Sequence, residues 1–258
     1  MKSSLFAFVA LGALGALPAN AAITLLYSTG FNVPTYADGG LIGQDGWVIT
    51  GSSVINPILV ANTATDGNVS LATTGQDVSH PLGSSGSGGS TFLVKATINL
   101  SAVQTAGDYF IHLGDGGGST FVGRVYAKSA TGGFVLSYVT SSGTPPAGSY
   151  GTTVLSLNTA YNILFRYDYV AGATNDTGSL WVNPTTSDGS GDTPYVGLTI
   201  LGADPTVALS SINLRQGNAT NAPTLTVDNI SVSGDLIPEP AASLLGVLGL
   251  LTMFRRRR

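Results

Sequence analysis

The sequence contains no cysteine, so it forms no disulfide bond and offers neither a thiolate nucleophile nor a cysteine ligand for a metal. Charged side chains make up 9% of its 258 residues, against roughly 25% in an average soluble domain. Glutamate occurs once, at Glu239, and lysine is almost absent. Because both are strong helix formers, and glycine occurs 35 times, the composition argues against a helical protein.

Histidine is also scarce, which bears on catalysis. His80 precedes a proline, and His112 lies in an apolar segment far from it in the chain. No Gly-x-Ser-x-Gly motif precedes a helical pattern, so the sequence does not indicate a serine hydrolase. Two isolated histidines do not indicate a zinc site either. We expect His112 to be a hydrogen-bonded structural residue.

The first 21 residues have the pattern of a secretory signal peptide. Lys2 supplies a positive charge, residues 5–17 form an apolar run, and Ala19 and Ala21 fit the small-residue pattern of a cleavage site. We predict export through the Sec translocon and removal of residues 1–21 by signal peptidase.

The other end of the chain combines three features in residues 237–258. Pro238, Glu239 and Pro240 form a rigid segment, and residues 241–254 are mainly apolar. As a helix, this run would be about 21 Å long. A stable membrane span needs roughly 20 residues, which cover about 30 Å, so the run is shorter than such a span. Four arginines then resist translocation and keep the end of the chain in the cytoplasm; they are Arg255, Arg256, Arg257 and Arg258.

This tail resembles the PEP-CTERM sorting signals that exosortases process. The Pro-Glu-Pro motif, the Leu/Gly-rich apolar helix and the arginine cluster all fit that pattern. The resemblance implies an exosortase partner and transient anchorage in the inner membrane of a Gram-negative bacterium that makes exopolysaccharide. It further implies a final location at the cell surface or in the extracellular matrix. An ordinary short tail anchor is the alternative.

Between the two ends, residues 22–236 are predicted to form one β-sandwich domain. Phe92, Val94, Ala96, Ile98 and Leu100 alternate with polar residues, and this period of two predicts a strand. Ten or more such segments are separated by Gly, Ser and Asp clusters, and no long helical pattern occurs. We therefore expect an all-β fold, a single antiparallel sandwich flanked by the signal peptide and a short hydrophobic C-terminal helix.

The charge of this region limits its partners. Residues 23–237 carry five lysines and arginines against 13 aspartates, which leaves a net charge near −8. A negative, lysine-poor surface does not attract nucleic acid, so we expect no nucleic-acid partner. It is suited to Ca²⁺, which prefers oxygen ligands.

Several short motifs are spread over this domain. They include Gly46-Trp47, Arg166-Tyr167-Asp168, Leu180-Trp181-Val182-Asn183-Pro184, Arg215-Gln216-Gly217 and Val227-Asp228-Asn229-Ile230. These motifs resemble those of the concanavalin-A-like jelly-roll domains of lectins, laminin-G modules and glucanases. That resemblance implies carbohydrate binding as the commonest activity, glycan cleavage in some members, and often a structural Ca²⁺. The glucanases of this fold use a Glu-x-Asp-x-Glu strand, and residues 23–237 contain no glutamate.

We consequently expect a cell-surface or matrix protein without enzymatic activity that is associated with exopolysaccharide. Specific glycan binding and a passive role as a surface component are both open. The alternative is a secreted polysaccharide-acting enzyme with an aspartate-based site. Trp47 follows a polar, glycine-rich turn and is the candidate glycan platform, whereas Trp181 lies in an apolar strand and is the candidate core residue. Further aromatic candidates, left unranked, are Tyr109, Tyr126, Tyr138, Tyr150 and Tyr195.

Calcium would most simply be held by aspartates in loops. The candidate pairs are Asp38 with Asp45 and Asp188 with Asp192, and Asp115 lies in a glycine-rich loop. Most of these aspartates precede a glycine, and Asp-Gly pairs are first of all turn formers. Plain turns are thus the alternative at each cluster.

The sorting tail leads to a test. Because moving arginine to a helix centre costs about 2.5–3.5 kcal/mol, the chain should pause in the membrane with Pro238, Glu239 and Pro240 outside. In a host with an exosortase, intact-mass analysis should show a released protein that ends near Pro240. Replacing the three residues with alanine should leave an uncut, membrane-bound form. A released protein that still ends at Arg258 would contradict the sorting signal.

Overall fold

The computed structural model describes residues 23–62, 66–141, 143–146, 148–170, 172–199 and 203–235. The predicted signal peptide and the residues of the predicted sorting signal lie outside these ranges. The described residues form 15 β-strands and no helix, so they include no helix long and apolar enough to cross a membrane. The all-β prediction is confirmed.

The strands follow one another along the chain with short connections. Their bounds are β1 (Thr24–Thr29), β2 (Gly39–Gly40), β3 (Val48–Thr50), β4 (Leu59–Asn62), β5 (Gly67–Leu71), β6 (Asp77–Gly86), β7 (Thr91–Ala102), β8 (Asp108–Gly114), β9 (Val122–Ala130), β10 (Gly133–Val139), β11 (Ala160–Asp168), β12 (Thr177–Val182), β13 (Val196–Thr199), β14 (Leu209–Leu214) and β15 (Thr224–Asp235).

The strands form two sheets that pack face to face. The nine-stranded sheet has the order β13-β12-β11-β7-β15-β5-β4-β2, with β1 also paired to β15. The six-stranded sheet has the order β10-β9-β8-β14-β6-β3. Every pair is antiparallel, and most neighbours in the sheets are not neighbours in sequence. The predicted antiparallel sandwich is thereby confirmed.

The core lies between the sheets and follows the alternation seen in the sequence. On β7, every second side chain from Phe92 to Leu100 is buried, and Val94 is paired with Phe165 on one side and Val232 on the other. Each large apolar side chain buried in this way contributes roughly 1.5–3 kcal/mol. The polar residues between them face outward, so each sheet has one outer face on which chemistry can take place.

Trp47 belongs to this core, and its predicted role as a glycan platform is wrong. Its side chain is 0% exposed, and its Nε1 donates hydrogen bonds to the hydroxyls of Tyr27 and Tyr36, each at 3.2 Å. The preceding turn reverses the chain through positive φ angles at Gly43, Asp45 and Gly46. Because of this reversal, the residue that follows the polar turn points between the sheets.

Trp181 is also buried, at 8% exposure, but it lies outside the principal core. It packs with Leu93 and Leu164 on the outer face of the nine-stranded sheet. The loop of residues 183–192 covers the ring there, and Trp181 Nε1 donates a hydrogen bond to the Asp192 carbonyl at 3.2 Å. Neither tryptophan is therefore open to a ligand.

Burial of Trp47 makes the stability of the domain sensitive to it. We expect Trp47→Ala to lower the free energy of unfolding by about 3–5 kcal/mol, since a cavity replaces the ring. Denaturant titration measures this change. Val48→Ala is the control: its side chain is 50% exposed, and we expect a cost below about 1 kcal/mol. A Trp47→Ala protein as stable as the wild type would contradict the burial.

Candidate functional site

The outer face of the six-stranded sheet carries most of the positive charge of the domain. Of the five lysines and arginines in residues 23–237, three lie here: Arg124, Lys128 and Arg215. On β9, Arg124, Tyr126 and Lys128 alternate with Val125 and Ala127, which face the core. Tyr109 on β8 is paired with Tyr126. We call Tyr109, Tyr126, Arg124, Lys128, Arg215 and Tyr150 together the tyrosine face.

Each cation of the tyrosine face lies over a tyrosine ring. Cζ of Arg215 is 4.2 Å from the ring centroid of Tyr109, and Cζ of Arg124 is 4.8 Å from the same centroid. The ammonium of Lys128 is 3.8 Å from the ring centroid of Tyr150. Such contacts contribute about 0.5–2 kcal/mol each. They hold the cations in place on the sheet.

Arg124 also fixes the loop that covers the middle of this face. Its Nε donates a hydrogen bond to the carbonyl of Ser141 at 3.0 Å, and its Nη2 donates to the carbonyls of Ser141 and Gly143. The hydroxyl of Tyr126 donates to the Gly143 carbonyl at 3.3 Å. Tyr126 and Arg124 are consequently buried, and only the margins of the tyrosine face are open to solvent.

Two carboxylates flank Arg215 at one margin. Its Nη1 is 2.7 Å from Oδ2 of Asp108, and its Nε is 3.9 Å from Oδ2 of Asp77. The Asp77 side chain is 36% exposed, and its Oδ1 accepts a hydrogen bond from the backbone N–H of Gln216 at 2.8 Å. Asp77 begins β6 and Asp108 begins β8, so pairing of both strands with β14 brings the two residues together.

The environment of Asp77 favours its protonated form. Burial raises the pKa of Asp77 to about 6, and the charge of Asp108 acts in the same direction. The hydrogen bond from Gln216 and the charge of Arg215 oppose this rise. Asp77 is therefore a carboxyl group that exchanges its proton close to neutral pH.

A groove of about 320 Å³ continues from the opposite margin of the tyrosine face. It is lined by residues 148–152 and 195–197, with Tyr150 and Tyr195 as its aromatic side chains. Tyr150 extends the edge of β10 through a bridge to Ser137. Gly151 makes room for the Tyr195 ring, because a Cβ there would lie 2.1 Å from Tyr195 Cε1. The Tyr195 hydroxyl donates a hydrogen bond to the Thr153 carbonyl at 2.5 Å.

The carboxylate margin and the groove interact electrostatically. Burial, and after it the charge of Asp108, raises the pKa of Tyr150 to about 12. We call Asp77, Asp108, Arg215, Lys128, Tyr150 and Tyr195 together the carboxylate–tyrosine strip.

The aspartates predicted to bind calcium accept hydrogen bonds from other groups of the protein. Asp38 accepts a hydrogen bond from the Asn62 N–H at 2.8 Å, and Asp45 accepts one from the Tyr36 hydroxyl at 2.8 Å. Asp115, Asp188 and Asp192 accept from N–H or hydroxyl groups within their own loops. Across the described ranges, no three acidic or histidine side chains come together in a way that could hold a metal ion. Calcium binding remains a prediction without a structural site.

The sequence alone did not indicate the carboxylate pair, although it contains a pattern that indicates the tyrosine face. The alternation of Arg124, Tyr126 and Lys128 on one strand could have marked the tyrosine face, because side chains two apart share a face. Asp77, Asp108 and Arg215 are far apart in the chain, and nothing in their local sequence connects them. Tyr150 and Tyr195 were among the unranked tyrosines.

Comparison with known proteins gives a likeness of fold. No protein-family model and no curated protein sequence matches the chain. The structure is similar to domain 4 of a GH43 extracellular arabinanase from Geobacillus stearothermophilus in complex with arabinotriose, at 14% identity and a TM-score of 0.49, covering 84% of this chain and 95% of that domain. It is similar to a carbohydrate esterase from the Shiga toxin-encoding bacteriophage phi24B, at 15% identity and a TM-score of 0.49, covering 82% and 99%.

An endo-1,3-β-glucanase from Streptomyces sioyaensis is similar at 12% identity and a TM-score of 0.46, covering 86% of this chain and 99% of that one. These likenesses concern the jelly-roll fold alone. They include enzymes, so the expectation of a protein without enzymatic activity is corrected. The physical reason is that the lack of glutamate excludes one carboxylate pattern but leaves an aspartate pair such as Asp77 and Asp108 available.

His112, behind the tyrosine face, provides a test of its packing. Its Nδ1 lies 2.9 Å from the Leu113 carbonyl, and burial lowers its pKa to about 3, against about 6.5 for a free histidine. As the pH falls, His112 takes up a proton in the unfolded chain near pH 6.5, but in the folded protein only near pH 3. The free energy of unfolding should therefore fall as the pH drops below about 6.5. NMR of the imidazole, assigned by loss of the signal in His112→Asn, should show a neutral ring at pH 5. A ring that titrates near pH 6.5 would contradict this packing.

Proposed function

We propose that this chain is an exported protein that acts on polysaccharide, with the carboxylate–tyrosine strip as its site. The observation that carries the proposal is the placement of Asp77 and Asp108 on one guanidinium group at one margin of the tyrosine face, with a groove lined by tyrosines at the opposite margin. The charge of Asp108 acts on Tyr150 of that groove. Glycosidases cleave with two carboxyl groups, and sugar sites combine aromatic surfaces with a few placed polar groups. The strip offers both.

The groove would hold the sugar chain. Tyr150 and Tyr195 present half-buried rings against which the apolar face of a sugar can pack. Lys128, stacked on Tyr150, supplies a hydrogen-bond donor at the same place. Because the Tyr195 ring is held by its packing on Gly151 and by its hydrogen bond to Thr153, this side chain would lose little freedom on binding.

The carboxylates would perform the chemistry. Asp77, with its raised pKa, would give its proton to the glycosidic oxygen as the bond to the anomeric carbon breaks. A water would add to that carbon and pass its proton to Asp108. Since both Oδ2 atoms contact one guanidinium group, they are no farther apart than the pairs of inverting glycosidases, at most about 9.5 Å. Arg215 would position the two groups.

The location of this activity is part of the proposal and is supported by the sequence alone. The signal peptide pattern of residues 1–21 supports export, and the tail of residues 237–258 supports sorting by an exosortase. A polysaccharide-acting domain would then reach the cell surface or matrix, where exopolysaccharide is its available substrate.

We expect Asp77→Asn to remove the proton donor of the proposed reaction. In assays of the reducing ends released from a panel of polysaccharides, the kcat of this variant should be at least about 100-fold lower than that of the wild type, with KM little changed. The wild type should lose activity as the pH rises through about 6, because Asp77 then gives up its proton. Asp188→Asn, in an exposed loop on the other sheet, is the matched control and should remain active. A fully active Asp77→Asn protein, or no product from any polysaccharide, would overturn the proposal.

A further inference from the structure

The charge of this domain is distributed very unevenly. Arg124, Lys128 and Arg215 lie on the tyrosine face, where Asp77 and Asp108 are the neighbouring acids. The remaining part of residues 23–237 holds two cations against 11 of the 13 aspartates. Three cations thus stand against two acids on the tyrosine face, whereas the rest of the domain is strongly negative.

Lys128 is the cation of this area that is available to a ligand. Arg124 is buried and bound to backbone carbonyls, and Arg215 is paired with Asp108. Lys128 has the Tyr150 ring on one side, and within the described ranges its ammonium forms no ion pair. An ammonium packed on a ring and without a counter-charge offers a fixed point for an external anion.

We infer that the polysaccharide recognised by the strip is acidic, with an anionic group on Lys128 and the adjoining sugar ring on Tyr150. The inference rests on the proposed function and names the substrate class of the same site. A negatively charged polymer would be repelled by the rest of the surface, which carries the excess of aspartates, and would be directed to the strip. The carboxylate or sulfate group would add an ion pair that a neutral glycan cannot make.

The test compares pairs of polymers that share a sugar backbone and differ in charge. Binding of the purified exported protein is measured by calorimetry in low salt with a chelator present, so that calcium cannot bridge the partners. We expect sodium polygalacturonate to bind at least about tenfold more tightly than its methyl ester, and the difference to shrink in high salt because exposed charges are screened. Dextran sulfate against dextran distinguishes sulfate from carboxylate as the preferred anion.

Variants assign the effect to the strip. Lys128→Gln should remove about tenfold of the preference for the acidic polymer, and Lys128→Arg should keep most of it. Lys95→Gln, on the outer face of the other sheet, is the matched control and should change affinity less than about twofold. Tyr150→Ala should weaken binding of the acid and of its ester alike. A thermal melt of each variant separates loss of binding from loss of folding.

The outcomes separate this inference from the proposed function. Equal binding of the polygalacturonate and its ester, or an unchanged preference in Lys128→Gln, would overturn the acidic substrate and leave the polysaccharide site standing. Binding and cleavage of neither class of polymer would overturn both.

Discussion

Packing of the two sheets through alternate side chains is the interaction on which the rest of this structure depends. The chain has no disulfide, and its described part has no helix, so stability comes from apolar side chains between the sheets. The inner positions of β7, β11 and β15 are occupied by such residues. Polar and charged residues are therefore confined to the outer faces and the loops, and a functional site has to be built there.

The candidate site shows how strand order turns distant residues into neighbours. Asp77 and Asp108 each begin a strand, and both strands pair with β14, after which Arg215 follows directly. The guanidinium group holds the two acids together, while burial favours the protonated form of one of them. In water, a cation beside a surface carboxylate mainly neutralises its charge. Here the guanidinium group of Arg215 positions two carboxyl groups, and burial raises the pKa of one of them, Asp77.

The two tryptophans show where local sequence is informative and where it is not. An apolar strand around Trp181 correctly indicated burial, but the ring lies beneath a loop on an outer face and not in the principal core. The polar turn before Trp47 suggested exposure, yet its left-handed backbone at Asp45 and Gly46 directs the ring inward. Local polarity cannot reveal the direction in which a turn sends the next side chain.

The sequence by itself determined the all-β class, the antiparallel sandwich and the position of most core residues, because a period of two requires one apolar face on each strand. It also predicts an export signal and a sorting signal at the two ends, because such signals depend on local composition. Only the tertiary structure decided that Asp77, Asp108 and Arg215 meet, and that Tyr150 and Tyr195 line one groove. The reason is physical: these contacts depend on strand order and on loops that cross between sheets, and neither leaves a periodic trace in the chain.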